Sequence, residues 1–89
     1  MSDKEDLNIK FKQAVEDAEK LDSVPQDIML EFYAYYKQAT KGDHFTFNAN
    51  IDNDVRSAFK FNAWQQLRGI SPKKAKKEYI KLVDKYKNI

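Results

Sequence analysis

Two tyrosines and a lysine are placed so that they share one face of a helix near the middle of the chain. Tyr33, Tyr36 and Lys37 stand at positions i, i+3 and i+4, which are neighbours on a helix surface. Two phenols beside an ammonium group offer hydrogen bonds, a flat stacking surface and a positive charge, a combination that suits a phosphorylated nucleotide. The alternative is that the tyrosines belong to the core and the Lys37 ammonium reaches outward to water. For these three residues taken alone, that alternative is favoured.

Arg56 and Lys60 form a second pair that could meet an anion. They lie one helical turn apart, where like charges repel slightly. A bound anion would remove this repulsion, whereas a solvated helix face needs no ligand. For the pair in isolation, the solvated face is the preferred interpretation.

A run of lysines follows near the end of the chain. Because successive residues point around a helix, Lys73, Lys74, Lys76 and Lys77 are expected not to form one patch. A nucleic-acid site would place aromatic or arginine side chains among them, and Arg68 is the nearest candidate. A small basic module that binds nucleic acid or protein through this segment remains an alternative function.

Composition excludes several classes of protein. The 89 residues contain no cysteine and one histidine, which rules out disulfides, thiolate metal sites and multi-histidine metal centres. His44 is expected to be a surface residue rather than a base, and the sequence contains no nucleophile elbow and no phosphate-binding glycine loop. We therefore expect a non-enzymatic, cytoplasmic, single domain over residues 1–89.

Charge is distributed unevenly along the chain. Residues 1–31 carry four lysines against nine acidic residues, a balance of −5, whereas residues 68–89 carry one arginine and seven lysines against two acidic residues, a balance of +6. Two ends of opposite charge can attract each other if they pack side by side, or the basic end can bind a polyanion. The sequence leaves both possibilities open.

Four helices must position these side chains. Apolar periodicity predicts them over residues 3–21, 25–40, 53–67 and 72–87. Pro25 and Ser71-Pro72 are typical helix starts, and Gly42 and Gly69 are typical helix ends. Ser2 and Glu5 have the spacing of a capping box. No segment has the pattern of a strand, so the sequence predicts an all-α four-helix domain.

Two segments of this architecture are unusual. The second helix is apolar around most of its circumference, which is typical of a central helix or of one that forms the wall of a ligand site. Residues 43–53 form a long loop rich in Asn and Asp, a length that is often functional in a small domain. Phe45, Phe47 and Ile51 are expected to attach this loop to the body.

The second helix resembles the signature of the acyl-CoA-binding protein family. Residues 33–43, Tyr-Ala-Tyr-Tyr-Lys-Gln-Ala-Thr-Lys-Gly-Asp, match the pattern Tyr-x-x-Tyr-Lys-Gln-Ala-Thr-x-Gly-Asp. Further matches follow in the family's order at residues 60–64 (Lys-Phe-Asn-Ala-Trp), 67–69 (Leu-Arg-Gly) and 75–80 (Ala-Lys-Lys-Glu-Tyr-Ile). The resemblance runs from about Phe11 to Ile89, and several linked motifs in one order make it specific.

The resemblance implies a compact four-helix bundle in up-down-down-up order. It implies non-covalent binding, buffering and intracellular transport of medium- to long-chain fatty acyl-CoA thioesters. It also implies a carrier without enzymatic activity or cofactor, which meets acyl-CoA-consuming enzymes transiently. A monomer is the expected state. Neither nucleic acid nor stable membrane insertion is expected.

The family's ligand contacts transfer to matching positions. A tyrosine and two lysines hold the ribose 3′-phosphate in the family, and Tyr33, Lys37 and Lys60 occupy those positions. Tyr36 matches a tyrosine that lies against the adenine region. Arg56 stands where the family often has a ligand-facing lysine.

Other positions concern the acyl chain, and at two positions the sequence differs from the family pattern. Tyr79 matches a tyrosine of the last helix that touches the ligand, and the expected lining of the acyl chain is Val15, Met29 and Leu30. A ligand-facing lysine of the first helix corresponds to Glu19, so that contact does not transfer. The family's first tryptophan in the Lys-Trp-x-Ala-Trp segment is Phe61, which retains an aromatic ring but loses the indole donor.

Overall fold

The computed structural model describes residues 3–45 and 55–88, and within these ranges it contains four α-helices and no strand. Helix α1 spans Asp3–Ala18, α2 Gln26–Lys41, α3 Val55–Gln65 and α4 Pro72–Lys87. The predicted all-α, four-helix architecture is confirmed. Most of the loop predicted over residues 43–53 lies outside the described residues, as do Ser2, Phe47 and Ile51.

Helix α1 ends three residues earlier than periodicity predicted. The N–H of Lys20 donates to the Asp17 carbonyl at 3.0 Å, and that of Leu21 donates to the Ala18 carbonyl at 3.2 Å. These i to i+3 bonds tighten the last turn beyond α-helical geometry. Ser23 then adopts a positive φ of 55°, which redirects the chain towards α2.

The predicted caps explain where α2 ends and α4 begins. Gly42 follows α2 with φ of 60° and donates its N–H to the Gln38 carbonyl at 3.0 Å. This φ is sterically easy for glycine and unfavourable for residues with a Cβ. Ser71 precedes α4, and its Oγ accepts the Lys74 N–H at 3.1 Å, while Pro72 occupies the first turn. Both boundaries match the sequence prediction.

Side-chain pairs establish the helix directions. Lys76 meets Asn8 at 2.7 Å and Lys87 meets Asp17 at 3.2 Å, so residue numbers rise together and α1 and α4 are parallel. Helices α2 and α4 are antiparallel, because the contacts run in opposite order: Phe32 with Tyr86, then Tyr36 with Tyr79. Helices α2 and α3 are parallel: Tyr33 with Lys60, then Lys37 with Trp64. The order is therefore up-down-down-up.

The core lies where α1 and α2 both meet α4. Its buried members are Phe11, Ala14, Ala39, Ala75, Tyr79 and Val83. Three alanines in this set let the helix backbones approach closely. The Tyr79 ring lies edge-on to Phe11 at 5.2 Å and to Phe32 at 5.6 Å between ring centroids. Such edge-to-face pairs add stability beyond the area that they bury.

Helix α4 packs against both α1 and α2, and α2 also packs against α3. Within the described residues, α1 and α2 make no close backbone contact with each other. They therefore stand as two walls above α4 and leave a groove between them. None of the four helices, over the parts of the chain that the structure describes, is long and apolar enough to cross a bilayer.

Candidate functional site

A cluster of cations and aromatic rings forms where α2 faces α3. The Lys60 Nζ lies 5.3 Å from the centroid of the Tyr33 ring, and the Lys37 Nζ lies 5.8 Å from the same centroid. The Lys37 Nζ also lies 5.4 Å from the Trp64 ring. Ammonium groups at these distances are attracted by the ring faces. The structure thus brings together Tyr33, Lys37 and Lys60, which come from two different helices.

The other two predicted head-group residues lie beside this cluster. The Tyr36 ring is 40% exposed and stacks on Phe11 at 6.1 Å between centroids, so it offers a flat surface to a ligand while it is supported from below. Arg56 lies in the first turn of α3, one helical turn before Lys60, and is exposed to water.

An apolar groove of about 380 Å³ continues from the cluster between α1 and α2. We call it the α1–α2 groove, and its lining residues are Val15, Ala18, Glu19, Met29, Phe32, Tyr33, Tyr36 and Tyr79. Tyr33 belongs to both the groove and the cation cluster. Met29 is 59% exposed, so the wall of the groove presents an apolar side chain to water.

The structure separates one predicted lining residue from the others. Leu30 lines a second cavity of about 500 Å³ on the α2–α3 side, together with Phe59 and Leu67. Ala18 and Phe32 line the α1–α2 groove but were missed by sequence reasoning. A signal for Phe32 was present, because Met29, Phe32, Tyr33 and Tyr36 follow i, i+3, i+4 and i+7 spacing.

Tyr79 forms the floor of the groove and remains a neutral phenol over the physiological range. It is 5% exposed, and burial, followed by the neighbouring Tyr36 and Glu19, raises the pKa of Tyr79 to about 12. A neutral phenol in an apolar groove retains its O–H donor for a ligand.

Behind the cluster, a buried amide connects α2, α3 and the turn before α4. The Gln38 side chain is completely buried, and its Nε2 donates to Asp43 Oδ1 at 2.8 Å and to the Ile70 carbonyl at 2.7 Å. Its Oε1 accepts the Trp64 Nε1–H at 3.0 Å, and this N–H also meets the Gly42 carbonyl at 3.1 Å. Every polar atom of the Gln38 side chain therefore has a partner, as burial requires. Sequence reasoning assigned no role to Gln38.

Asp43 is a titratable member of this network. The hydrogen bond from Gln38 and the N–H of Gly69, at 3.1 Å from Asp43 Oδ1, lower the pKa of this carboxyl below its ordinary value of 3.8. A lowered pKa in the folded state adds stability above the ordinary value, and this stability is lost as pH falls through the folded pKa. Asp43→Asn keeps an oxygen acceptor but removes the titration.

We therefore expect Asp43→Asn to lose less stability than the wild type between pH 7 and about pH 3. Urea unfolding at the two pH values measures this difference. Equal losses in the two proteins would show that Asp43 does not contribute to acid sensitivity.

The prediction that the lysine run forms no patch is wrong for three of its four members. Lys73, Lys74, Lys77 and Lys81 together line a shallow concavity of about 440 Å³, and we call these four residues the lysine stripe. The reason is helical geometry: positions 73, 77 and 81 repeat every four residues, and position 74 lies three before 77. Lys76 points elsewhere and donates to Asn8.

The arrangement suits a molecule with an anionic head and an apolar tail. Two ammonium groups and a phenol meet at one end of an uncovered apolar groove. Within residues 3–45 and 55–88, His, Asp and Glu side chains form no group of three that could hold a metal ion.

Comparisons with known proteins identify the family of this chain. The family model described as acyl-CoA-binding protein matches residues 8–83. The acyl-CoA-binding protein of Saccharomyces cerevisiae is 41% identical over 75 residues, which cover 83% of this chain and 85% of the relative. An acyl-CoA-binding protein homolog of Manduca sexta is 38% identical over 79 residues, 88% of each chain.

A solved structure shows the same fold. The crystal structure of Oryza sativa acyl-CoA-binding protein 2 superposes with a TM-score of 0.82 at 31% identity, covering 92% of this chain and 91% of the rice chain. The chain belongs to the acyl-CoA-binding protein family.

Proposed function

We propose that this protein binds fatty acyl-CoA thioesters without a covalent step, buffers their free concentration and carries them between enzymes. The observation that carries the proposal is the position of Tyr33, which touches both Lys37 and Lys60 and also lines the α1–α2 groove. One ring thus joins a phosphate-binding cluster to an apolar channel. Membership of a family of binding proteins supports the same conclusion.

The head group of the ligand is assigned to the cation cluster. Lys37 and Lys60 supply charge-assisted hydrogen bonds to the 3′-phosphate, and Tyr33 adds a neutral donor. The exposed ring of Tyr36 provides a stacking surface for adenine. Arg56, one turn before Lys60, extends the positive surface towards the diphosphate and can bind it in bidentate fashion.

The acyl chain is assigned to the α1–α2 groove, where Val15 and Met29 cover it and Tyr79 lies beneath it. Each buried methylene contributes about 0.8 kcal/mol before the cost of ordering the chain. Affinity should therefore rise with chain length, while the CoA head determines which molecule is accepted. The thioester bond stays intact, and the protein acts as a monomeric cytoplasmic carrier that hands its cargo to acyl-CoA-consuming enzymes.

Titration calorimetry with palmitoyl-CoA tests this proposal, with free CoA and palmitate as controls. We expect one-to-one binding of the thioester and much weaker binding of each half, because CoA lacks the apolar tail and palmitate leaves the two lysines without a phosphate. Palmitate binding as tight as that of palmitoyl-CoA would contradict the division of roles. An absence of binding for acyl chains of every length would contradict the function.

Removing the negative charge of Glu19 is expected to strengthen ligand binding. Its carboxylate lines the groove close to an anionic ligand, and like charges weaken binding. We expect Glu19→Gln to tighten palmitoyl-CoA binding about two- to fivefold at low salt, as exposed charge pairs contribute modestly. The effect should shrink at high salt.

Glu16→Gln is the matched control, because Glu16 is exposed on α1 one turn earlier and its loss changes the net charge equally. Competition titration measures both variants under the same conditions. An equal gain in the two would indicate a long-range charge effect rather than a position beside the ligand.

A further inference from the structure

The lysine stripe of α4 is a second cationic surface, and it lies away from the proposed ligand site. Ala75, Tyr79 and Val83 are the buried residues of α4. Lys77 lies two positions after Ala75, and Lys81 lies two positions after Tyr79. Two positions correspond to about 200° around the helix. Since Tyr79 forms the floor of the α1–α2 groove, the stripe faces the opposite side of the bundle.

The charges of the stripe are poorly compensated by the protein itself. Lys81 lies 3.7 Å from the Glu78 carboxylate, and its side chain is 75% exposed, so this pair contributes little. In residues 3–45 and 55–88, the ammonium groups of Lys73, Lys74 and Lys77 make no ion pair. Four neighbouring ammonium groups repel one another, and an anionic surface would relieve that repulsion.

The composition of the stripe distinguishes between possible partners. Nucleic-acid sites add aromatic or arginine side chains for stacking, and protein interfaces are enriched in aromatic residues and arginine but depleted in lysine. The concavity contains none of these enriched types, since its remaining members are Ser71 and Glu78. Clusters of four to eight basic residues on one side of an amphipathic helix are typical of attraction to anionic phospholipid surfaces.

We infer that the lysine stripe docks this protein peripherally on membranes rich in anionic phospholipid, with the α1–α2 groove facing away from the bilayer. Docking is electrostatic and shallow, because the stripe offers charge without an exposed apolar side chain among its members. The orientation leaves the groove open to water, so docking does not depend on whether the groove is loaded.

Sedimentation with vesicles tests the inference. Vesicles of phosphatidylcholine alone and of phosphatidylcholine mixed with phosphatidylserine are compared at low and at physiological salt. We expect binding to the anionic vesicles that weakens with salt, because screening shortens the reach of the charges. Lys74→Gln/Lys77→Gln should lower the partition coefficient about 25-fold, since each lysine near an anionic surface contributes a factor of roughly five.

Lys10→Gln/Lys12→Gln is the matched control, because both lysines are exposed on α1 and the change in net charge is the same. This control should lower the partition coefficient much less than the stripe variant. Circular dichroism confirms that both variants fold, and palmitoyl-CoA titration of both separates docking from cargo binding.

Three results would overturn the inference. Equal binding to zwitterionic vesicles would exclude an electrostatic dock. Equal losses in the stripe variant and the α1 control would assign binding to net charge rather than to this surface. Binding of duplex RNA or an acidic protein through the stripe, without binding to anionic vesicles, would assign the surface to a different partner.

Discussion

Replacing Lys60 by alanine is expected to weaken palmitoyl-CoA binding about 10- to 100-fold, because a charge-assisted hydrogen bond contributes roughly 1.5–3 kcal/mol. The Lys60 ammonium approaches the Tyr33 ring from α3, so the substitution removes one of the two ammonium groups at this ring. The loss should appear equally for dodecanoyl- and palmitoyl-CoA, since the substitution leaves the α1–α2 groove intact. Titration calorimetry measures both ligands.

Lys76→Ala is the matched control. Lys76 lies on α4, where it donates to Asn8, and its removal changes the net charge by the same amount. Binding by this variant should stay within about twofold of the wild type, because surface charge alone acts weakly. Equal losses for the two variants would contradict a specific phosphate contact at Lys60.

Replacing Gln38 by alanine is expected to cost about 2–4 kcal/mol of the free energy of unfolding, since it combines a buried cavity with lost hydrogen bonds. The substitution leaves the Ile70 carbonyl and Asp43 Oδ1 without their donor from Gln38. It also removes one of the two acceptors of the Trp64 indole. Because small domains are stable by only about 5–15 kcal/mol, this is a large fraction of the total.

Urea unfolding followed by circular dichroism measures this loss. Gln13→Ala is the control, because Gln13 is an exposed glutamine of α1 whose Nε2 bonds Asp17 at 3.0 Å. Its replacement should cost less than about 0.5 kcal/mol, as surface substitutions usually do. If Gln38→Ala lost no more free energy of unfolding than the Gln13→Ala control, the structural role of the buried amide would be refuted.

Lys60 and Gln38 both depend on the contact between α2 and α3. The Gln38 side chain bonds Trp64 and so holds α3 against α2. Lys60 lies one turn before Trp64 on α3, and this contact keeps it beside Tyr33. A weakened network would allow α3 to shift along α2 and separate the two ammonium groups. Gln38→Ala molecules that remain folded should consequently bind palmitoyl-CoA less tightly than the wild type.

Local patterns predicted the helices well, because the determinants of a helix lie within a few residues of one another. Ser71-Pro72 and Gly42 mark helix boundaries through their own backbone preferences. The end of α1 was predicted less well. Its last turn is tightened by backbone bonds and followed by the positive φ of Ser23, neither of which apolar periodicity reports.

The candidate site was predicted in parts. Tyr33 and Lys37 are neighbours by helical spacing alone, whereas their interpretation as a ligand site came from the family resemblance. The lysine stripe was not predicted, although the same spacing rule places its four residues together once Lys81 is included with the run. Leu30 lies on the α2–α3 side although it follows Met29 directly, because successive residues of a helix point about 100° apart and the sequence does not show which side of α2 faces α1.

The amino-acid sequence by itself determined the number of helices, the caps at Gly42 and Ser71, the family and the face shared by Tyr33, Tyr36 and Lys37, because all of these depend on neighbours in the chain. Only the tertiary structure decided that Lys60 meets Tyr33, that Gln38 is buried among three segments, and that α1 and α2 stand apart above Tyr79. These features depend on how helices distant in sequence align. That alignment is set by core packing and buried hydrogen bonds, which no local pattern encodes.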